Sequence, residues 1–429
     1  MNKKLLVFSL LALLSVTLTA CSIKDLPFLG QFFGGAKKVT KKPVTLNVWG
    51  MWENPDVAKT LIDKYKVLHP NVTINYDDRS VLSPDDYKER VYARITQTDA
   101  PDIIAVHNSW VPGLKTALST MPTDLLTAQD YSTKFYPSAT QMAVLDGNIY
   151  ATPLYYDGLV LVYNKKHFDQ IDQMEAPTAW EELRRIATEL AAKDASGKLI
   201  RGGVALGTAD NIDFFSDILG LMFAQAGVDI PSKLDTKGAW DALSFYTNFV
   251  KEDKVWDNTF PEASTAFAQD KVSMIFVPTW NLLDILKARP DMEIGVAPVP
   301  QALPDRPTAW STFWTMVVPK TSKNSYVAWD FLNFLTQEEQ QLVLFSKASE
   351  YRQYGAPYSL VSLSSQISTN LYLKPVLVSA PFAKTAEIGG RVGNKKQVTA
   401  LKEAVNSLFG EFPETAENAM KKAKEAIIK

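Results

Sequence analysis

The stretch 146–166, DGNIYATPLYYDGLVLVYNKK, places two strand-like runs in direct succession with one proline between them. Asp146-Gly147-Asn148 is a turn signal. Pro153 interrupts the apolar run that follows, and 159–163 resumes it. Proline cannot donate to a sheet ladder, so this pattern reads as a chain leaving one sheet and entering another. Residues at such a crossing face a cleft between two lobes. Tyr155 and Tyr156 would offer flat apolar ring faces there, and Asp157 would accept hydrogen bonds. On local pattern alone the same residues also fit a surface loop between two strands of one sheet.

With 429 residues the chain is too long for one ordinary core, which favours two lobes. Apolar residues make up 46% and charged residues 21%, the balance of a globular body. A formal net charge of -2 with no basic patch sets nucleic acid aside as a partner. The N-terminus reads as a targeting segment. Lys3 and Lys4 precede an apolar run over 5–16, about a dozen residues where a membrane span needs about 20. Leu18-Thr19-Ala20-Cys21 then resembles a bacterial lipobox, in which the cysteine is diacylated and becomes the first mature residue. Cys21 is the only cysteine, so neither a disulfide framework nor a thiolate metal site is available. Residues 1–20 are therefore expected to be a lipoprotein signal peptide. Residues 21–43 are expected to be a lipid-anchored flexible tether, with Lys37, Lys38, Lys41 and Lys42 placed to favour anionic lipids.

The first lobe opens as strand, helix, strand. Residues 44–49 alternate, 56–68 carry Val57, Leu61, Ile62, Tyr65 and Leu68 at helical spacing, and 71–76 form the next strand. That is a βαβ unit of a parallel sheet, whose ligands sit beyond the C-terminal strand ends. Trp49, Trp52 and Glu53 stand there, aromatics and an acid together, which suits a polyol. Trp49 equally fits the last core position of its strand. A second helix is predicted over 86–96, then a buried strand in Ala100-Pro101-Asp102-Ile103-Ile104-Ala105-Val106. Its exit loop holds His107, Asn108, Ser109 and Trp110. His107 has no second histidine or cysteine nearby, so it reads as a hydrogen-bonded structural residue and zinc spacing is absent.

Beyond the crossing, Pro177-Thr178-Ala179-Trp180-Glu181 opens a helix, with Thr178 as N-cap, Glu181 completing a capping box and Trp180 in the packing. The stretch 208–215 enters another helix; Asp213 and Phe214 are cleft candidates, with simple capping by Asp210 or Asn211 beside them. An amphipathic helix over 240–250 follows. The run 267–276 ends in Val277-Pro278-Thr279-Trp280, just before a helix over 281–288. The stretch 309–320, with Trp310 and Trp314, crosses back to the first lobe. Helices follow over 325–335 and 336–345, and a third crossing begins near Tyr351. Helices over 398–409 and from 414 finish the second lobe. Arg391 is placed at the surface, with ligand hydroxyls as its other reading.

Taken in order, these pieces resemble the family 1 extracellular solute-binding proteins, the maltose-binding-protein-like receptors of ABC importers. The resemblance is carried by 146–166 as a hinge, by Pro101-Asp102-Ile103-Ile104, by 177–183, by 267–280 with Asp270 where the family has glycine, by 294–300 and by 323–341. Trp310, Ser311 and Thr312 stand where the family usually has small residues. The resemblance implies an α/β, two-lobed periplasmic-binding-protein-like fold, each lobe a mainly parallel sheet with flanking helices, joined by hinge strands. The first lobe would comprise 44–153 and 313–356, the second 154–312 and 357–429. It further implies a monomer that captures a solute by hinge closure and hands it to the membrane permease of an ABC importer, without cofactor or metal. Trp280 falls where family members stack on a sugar ring. The aromatics Trp49, Trp52, Trp110, Tyr155, Tyr156, Trp280, Trp310 and Trp314 exceed what one small ligand needs, which favours an oligosaccharide, its hydroxyls taken by Glu53, Asn108, Asp157 and Asp213. The alternatives are a secreted glycosidase using paired carboxylates such as Glu53 and Asp157, a non-sugar ligand, and a sensing role. No nucleophile motif or phosphate loop accompanies them, and the expectation is a binding protein, not an enzyme.

Overall fold

The computed structural model describes residues 39–389 and 395–428. The lipobox at Cys21, the tether up to residue 38 and Arg391 lie outside the described residues. Residues 42–429 form one unit, built on two sheets.

In the first sheet, β1 (Val44–Gly50) buries Leu46, Val48 and Gly50 at every second position. The helix Pro55–Leu68 follows for local reasons. The Asn54 side chain accepts from the Asp56 N–H at 2.8 Å, Pro55 occupies the first turn, and Val57, Leu61 and Tyr65 are buried on one face. β2 (Val72–Asp78) returns parallel to β1, in register from Val44 opposite Val72 to Gly50 opposite Asp78. The helix Pro84–Arg94, capped by Ser83, leads to β3 (Ile103–His107), buried throughout and parallel to β1.

The crossing begins with a tight hairpin. β4 (Val144–Leu145) and β5 (Asn148–Ile149) flank Asp146 and Gly147, whose φ values of 50° and 74° fit a primed turn. Single antiparallel bridges then join Thr152 to Met316, Gly158 to Ser311 and Tyr155 to Tyr358. Three segments of the chain therefore run side by side between the sheets.

β6 (Leu159–Asn164) enters the second sheet, followed by β7 (Ala192–Lys193), β8 (Leu199–Val204), β9 (Val272–Pro278) and β10 (Ile294–Ala297), in the order β10-β6-β9-β8-β7. β9 is buried at all its positions and lies between β6 and β8, as a strand covered on both faces must be. β11 (Ala309–Trp310) precedes β12 (Trp314–Val317), which completes the first sheet in the order β12-β3-β1-β2, antiparallel to β3. β13 (Ala383–Lys384) pairs with β11.

Two expectations need correction. The second sheet is mixed, not mainly parallel: β6 runs antiparallel to β9 and β10, and only β8 and β9 are parallel. β6 arrives straight from the other sheet and has no crossover helix to impose a parallel pairing, whereas helices separate β8 from β9. The capping box is also displaced. The helix is Trp180–Leu190, Ala179 stands at its N-cap position, and Glu182, one turn position later than expected, accepts the Thr178 N–H at 2.9 Å. Trp180 does pack inside, donating its indole N–H to Gln225 at 2.6 Å.

The C-terminal third passes between the sheets gradually. The helix Glu338–Ala348 packs on Pro55–Leu68, and the turn of helix Val361–Ile367 lies against Ala128–Lys134, both on the first-sheet side. The helices Lys395–Ser407 and Ala416–Ile428 pack on each other and against Phe215–Gln225 and Lys237–Lys251 on the second-sheet side. Among the described residues no helix is long and apolar enough to cross a membrane.

Candidate functional site

A cavity of about 410 Å³ opens where the crossing segments meet the ends of both sheets. Its walls come from five places. Met51 and Trp52 follow β1, Tyr155 to Asp157 lie on the first crossing, and Thr279 and Trp280 follow β9. Phe313 and Trp314 lie on the second crossing, and Arg352 and Tyr354 to Pro357 on the third. The volume is in the range of small-ligand sites.

Three indoles dominate. Trp52 and Trp280, from opposite sheets, lie 6.4 Å apart between ring centres with planes only 17° from parallel. Trp314 meets Trp52 edge to face at 4.7 Å, and Phe214 meets Trp280 in the same manner at 5.6 Å. Trp52 and Trp280 remain 41% and 36% exposed, so neither indole is sealed into a core.

The polar groups are arranged unevenly. The Asp157 carboxylate lines the cavity, but its oxygens accept from the N–H groups of Gly158 at 2.7 Å, Thr279 at 2.9 Å and Trp280 at 3.1 Å, and from the Thr279 hydroxyl at 2.9 Å. These four donors fill the acceptor sites of a carboxylate. Burial pushes Asp157 up to about 6, against the pull of those same donors. Glu53 sits behind the wall, accepting from the Tyr155 hydroxyl and the Asn54 N–H. Burial pushes Glu53 up to about 7, opposed by the nearby Arg352 guanidinium. Arg352 lies over the Tyr155 ring at 5.2 Å and donates to the Trp52 carbonyl at 2.9 Å. Asp284 adds an exposed carboxylate at the rim.

Six of the residues read as ligand-binding from the sequence line this cavity: Trp52, Tyr155, Tyr156, Asp157, Trp280 and Trp314. Others are brought elsewhere. Trp110 and Trp310 are core residues, not cleft residues. Trp310 donates its indole N–H to Asp217 at 2.8 Å and lies against Gly220, where a Cβ would come within 2.5 Å of the ring. Trp110 packs against Trp314 from behind, 5.3 Å away. Asn108 is buried too, donating to Thr385 at 2.9 Å and accepting from the Phe313 N–H at 3.2 Å; it ties β3 to the crossing. Trp49 carries Arg79 over its ring at 4.4 Å, and Asp213 accepts from Ser264 at 3.2 Å, both outside the lining. His107 is buried between Ser109 at 2.8 Å and Thr312 at 3.0 Å, and burial pushes it down to about 3, so it stays neutral.

The sequence reading placed the third crossing but missed its side chains. Arg352, Tyr354 and Gly355 to Pro357 line the cavity. Tyr351-Arg352-Gln353-Tyr354-Gly355-Ala356-Pro357 has the make-up of the first crossing, two tyrosines beside glycine and proline, and that likeness was the available signal.

A family model described as bacterial extracellular solute-binding protein matches residues 51–342, well over half the chain. The chain belongs to the bacterial extracellular solute-binding proteins. Solved structures show the same two-lobed periplasmic-binding-protein-like fold. The cyclic alpha-maltosyl-1,6-maltose binding protein from Arthrobacter globiformis aligns with a TM-score of 0.72 and 18% identity, covering 90% of this chain and 98% of that one. A Mycobacterium tuberculosis protein in complex with glycerophosphocholine aligns with a TM-score of 0.69 and 16% identity, covering 90% and 98%. Among curated relatives, the maltotriose-binding protein of Pyrococcus abyssi is 20% identical over 295 residues, spanning 65% of this chain and 59% of that protein. In a solute-binding protein of this fold, the cavity between the sheets is the candidate ligand site.

Proposed function

We propose that this solute-binding protein captures a carbohydrate, an oligosaccharide rather than a single sugar, and delivers it to the permease of an ABC importer. The observation that carries this reading is the near-parallel pair Trp52 and Trp280, set on opposite sides of one cavity with Trp314 at its flank. Indole faces match the C–H faces of pyranose rings, and the peripheral Arg352 and Asp284 suit hydroxyls at the edges. The maltotriose and cyclic maltosyl-maltose relatives support the same class. The glycosidase alternative needs two carboxyl groups free to flank a glycosidic bond, and Asp157 spends its acceptor sites on the protein itself. Cys21, acylated, would hold the protein outside the cytoplasmic membrane; Cys21→Ser should then move it from the membrane to the soluble fraction.

The test is intrinsic tryptophan fluorescence titrated with maltose, maltotriose and mannobiose, with glycerophosphocholine as a non-sugar solute. A saturable change with at least one sugar is expected, weakened about tenfold or more in Trp280→Ala. A response to glycerophosphocholine alone would replace the carbohydrate reading with a non-sugar one.

A further inference from the structure

The two indoles that face each other across the cavity both sit on turns, and each turn is held by residues of the crossing segments. Trp52 adopts a φ of 57°, a left-handed conformation uncommon for a side chain of this size. Its N–H donates to the Ser80 hydroxyl at 2.5 Å, and Ser80 is itself bound to Asp78. Its carbonyl accepts from Arg352 at 2.9 Å. On the other side, Asp157 accepts the N–H groups of Thr279 and Trp280. The Thr279 carbonyl accepts from the Tyr354 hydroxyl at 2.5 Å. Arg352 and Tyr354 thus stand two residues apart on one segment and grip the backbones of the two opposing indole turns. Asp157 holds the second turn from the first crossing.

We propose that Arg352, Tyr354 and Asp157 are positioning residues that set the closest approach and the tilt of the Trp52–Trp280 pair, so that the third crossing acts as a stop limiting how far the cleft shuts. Arg352 and Tyr354 also line the cavity, but their reach to the turns is what couples the two platforms. Asp157 acts through Trp280 and not as a ligand acceptor. Only the nature of the ligand rests on the carbohydrate reading; the positioning does not.

The experiment uses the full chain labelled with 5-fluorotryptophan. Trp52→Phe and Trp280→Phe identify two of its fluorine resonances. Tyr354→Phe removes one oxygen from an intact buried ring and should shift or broaden the Trp280 resonance. Asp157→Asn should do the same, and Arg352→Gln should move that of Trp52. The resonances of the core residues Trp180 and Trp256 should stay in place and report that each variant is folded. Should Asp157→Asn fail that check, Tyr354→Phe carries the Trp280 arm. Unmoved Trp52 and Trp280 resonances in folded variants overturn the proposal.

A double-mutant cycle with maltotriose as the probe adds a second readout. Tyr354→Phe should weaken binding about 5- to 10-fold, the loss expected of one hydrogen bond. Trp280→Ala should then cost clearly less in the Tyr354→Phe background than in the wild type. Strict additivity would show that Tyr354 does not act through Trp280. If none of the titrated sugars binds the wild type, the carbohydrate reading loses its support, and the fluorine spectra alone decide the positioning.

Discussion

Glu53 holds its carboxyl group between the Tyr155 hydroxyl and the Asn54 N–H, with the Arg352 guanidinium near enough to draw its proton off but not enough to offset burial. In the unfolded chain that proton leaves near 4.5, and in the folded protein near 7. Between those values the folded form keeps a proton that the unfolded form has lost. Stability contributed by Glu53 is therefore present at the acid end of this window and falls as pH rises through it. Asp157, pushed up to about 6, adds a fall of the same sign. Glu53→Gln is uncharged at every pH and removes its own part of that slope. Relative to wild type, the variant should gain stability between about pH 5 and pH 8, on the order of 1–3 kcal/mol. Urea unfolding at a series of pH values measures the difference, and a difference that does not change with pH would refute the assignment.

At the scale of elements, the first two crossing segments approach closely enough to exclude a methyl group. A Cβ on Gly158 would lie 2.5 Å from the Trp310 carbonyl oxygen and 3.2 Å from the Ser311 Cα, both backbone atoms that no rotamer change can move. Gly158→Ala should therefore cost about 1–3 kcal/mol by overpacking, and should weaken ligand binding as well, because the spacing it disturbs is that of the hinge. Urea unfolding and the sugar titration measure the two effects; an unchanged midpoint with unchanged affinity would mean the segments part freely. What was legible in the sequence follows from the same physics. The helix Pro55–Leu68 stands where the apolar spacing over 56–68 predicted, since periodicity is a local property. The crossing itself was readable because Pro153 breaks a sheet ladder whatever surrounds it. The direction of β6 and the burial of Trp310 were not readable, because they depend on partners far along the chain, β9 in one case and Gly220 with Asp217 in the other. Asp157 was read as a ligand acceptor for a similar reason: its donors at Thr279 and Trp280 lie more than a hundred residues away.

For the whole molecule, the decisive length is the 6.4 Å between the Trp52 and Trp280 rings. A flat ligand held between two rings needs a van der Waals contact of about 3.5–4.0 Å on each face, or roughly 7–8 Å in all. The pair stands closer than that, so the arrangement is that of a nearly shut cleft, and a ligand layer enters only if the two sheets first move apart. The crossing segments allow this: single bridges at Thr152, Tyr155 and Gly158, in place of continuous ladders, leave the hinge few bonds to break. Ligand contacts with both indoles exist only when the sheets come together again, so binding must favour the closed population. Against an unliganded population that includes the opened form, small-angle scattering should accordingly show a smaller radius of gyration at saturating sugar. The Trp52→Ala/Trp280→Ala double variant should show no such contraction at the same concentration. A radius that ignores sugar, under conditions where fluorescence reports saturation, would mean that the cleft fills without closing and that the tryptophan pair is a fixed slot.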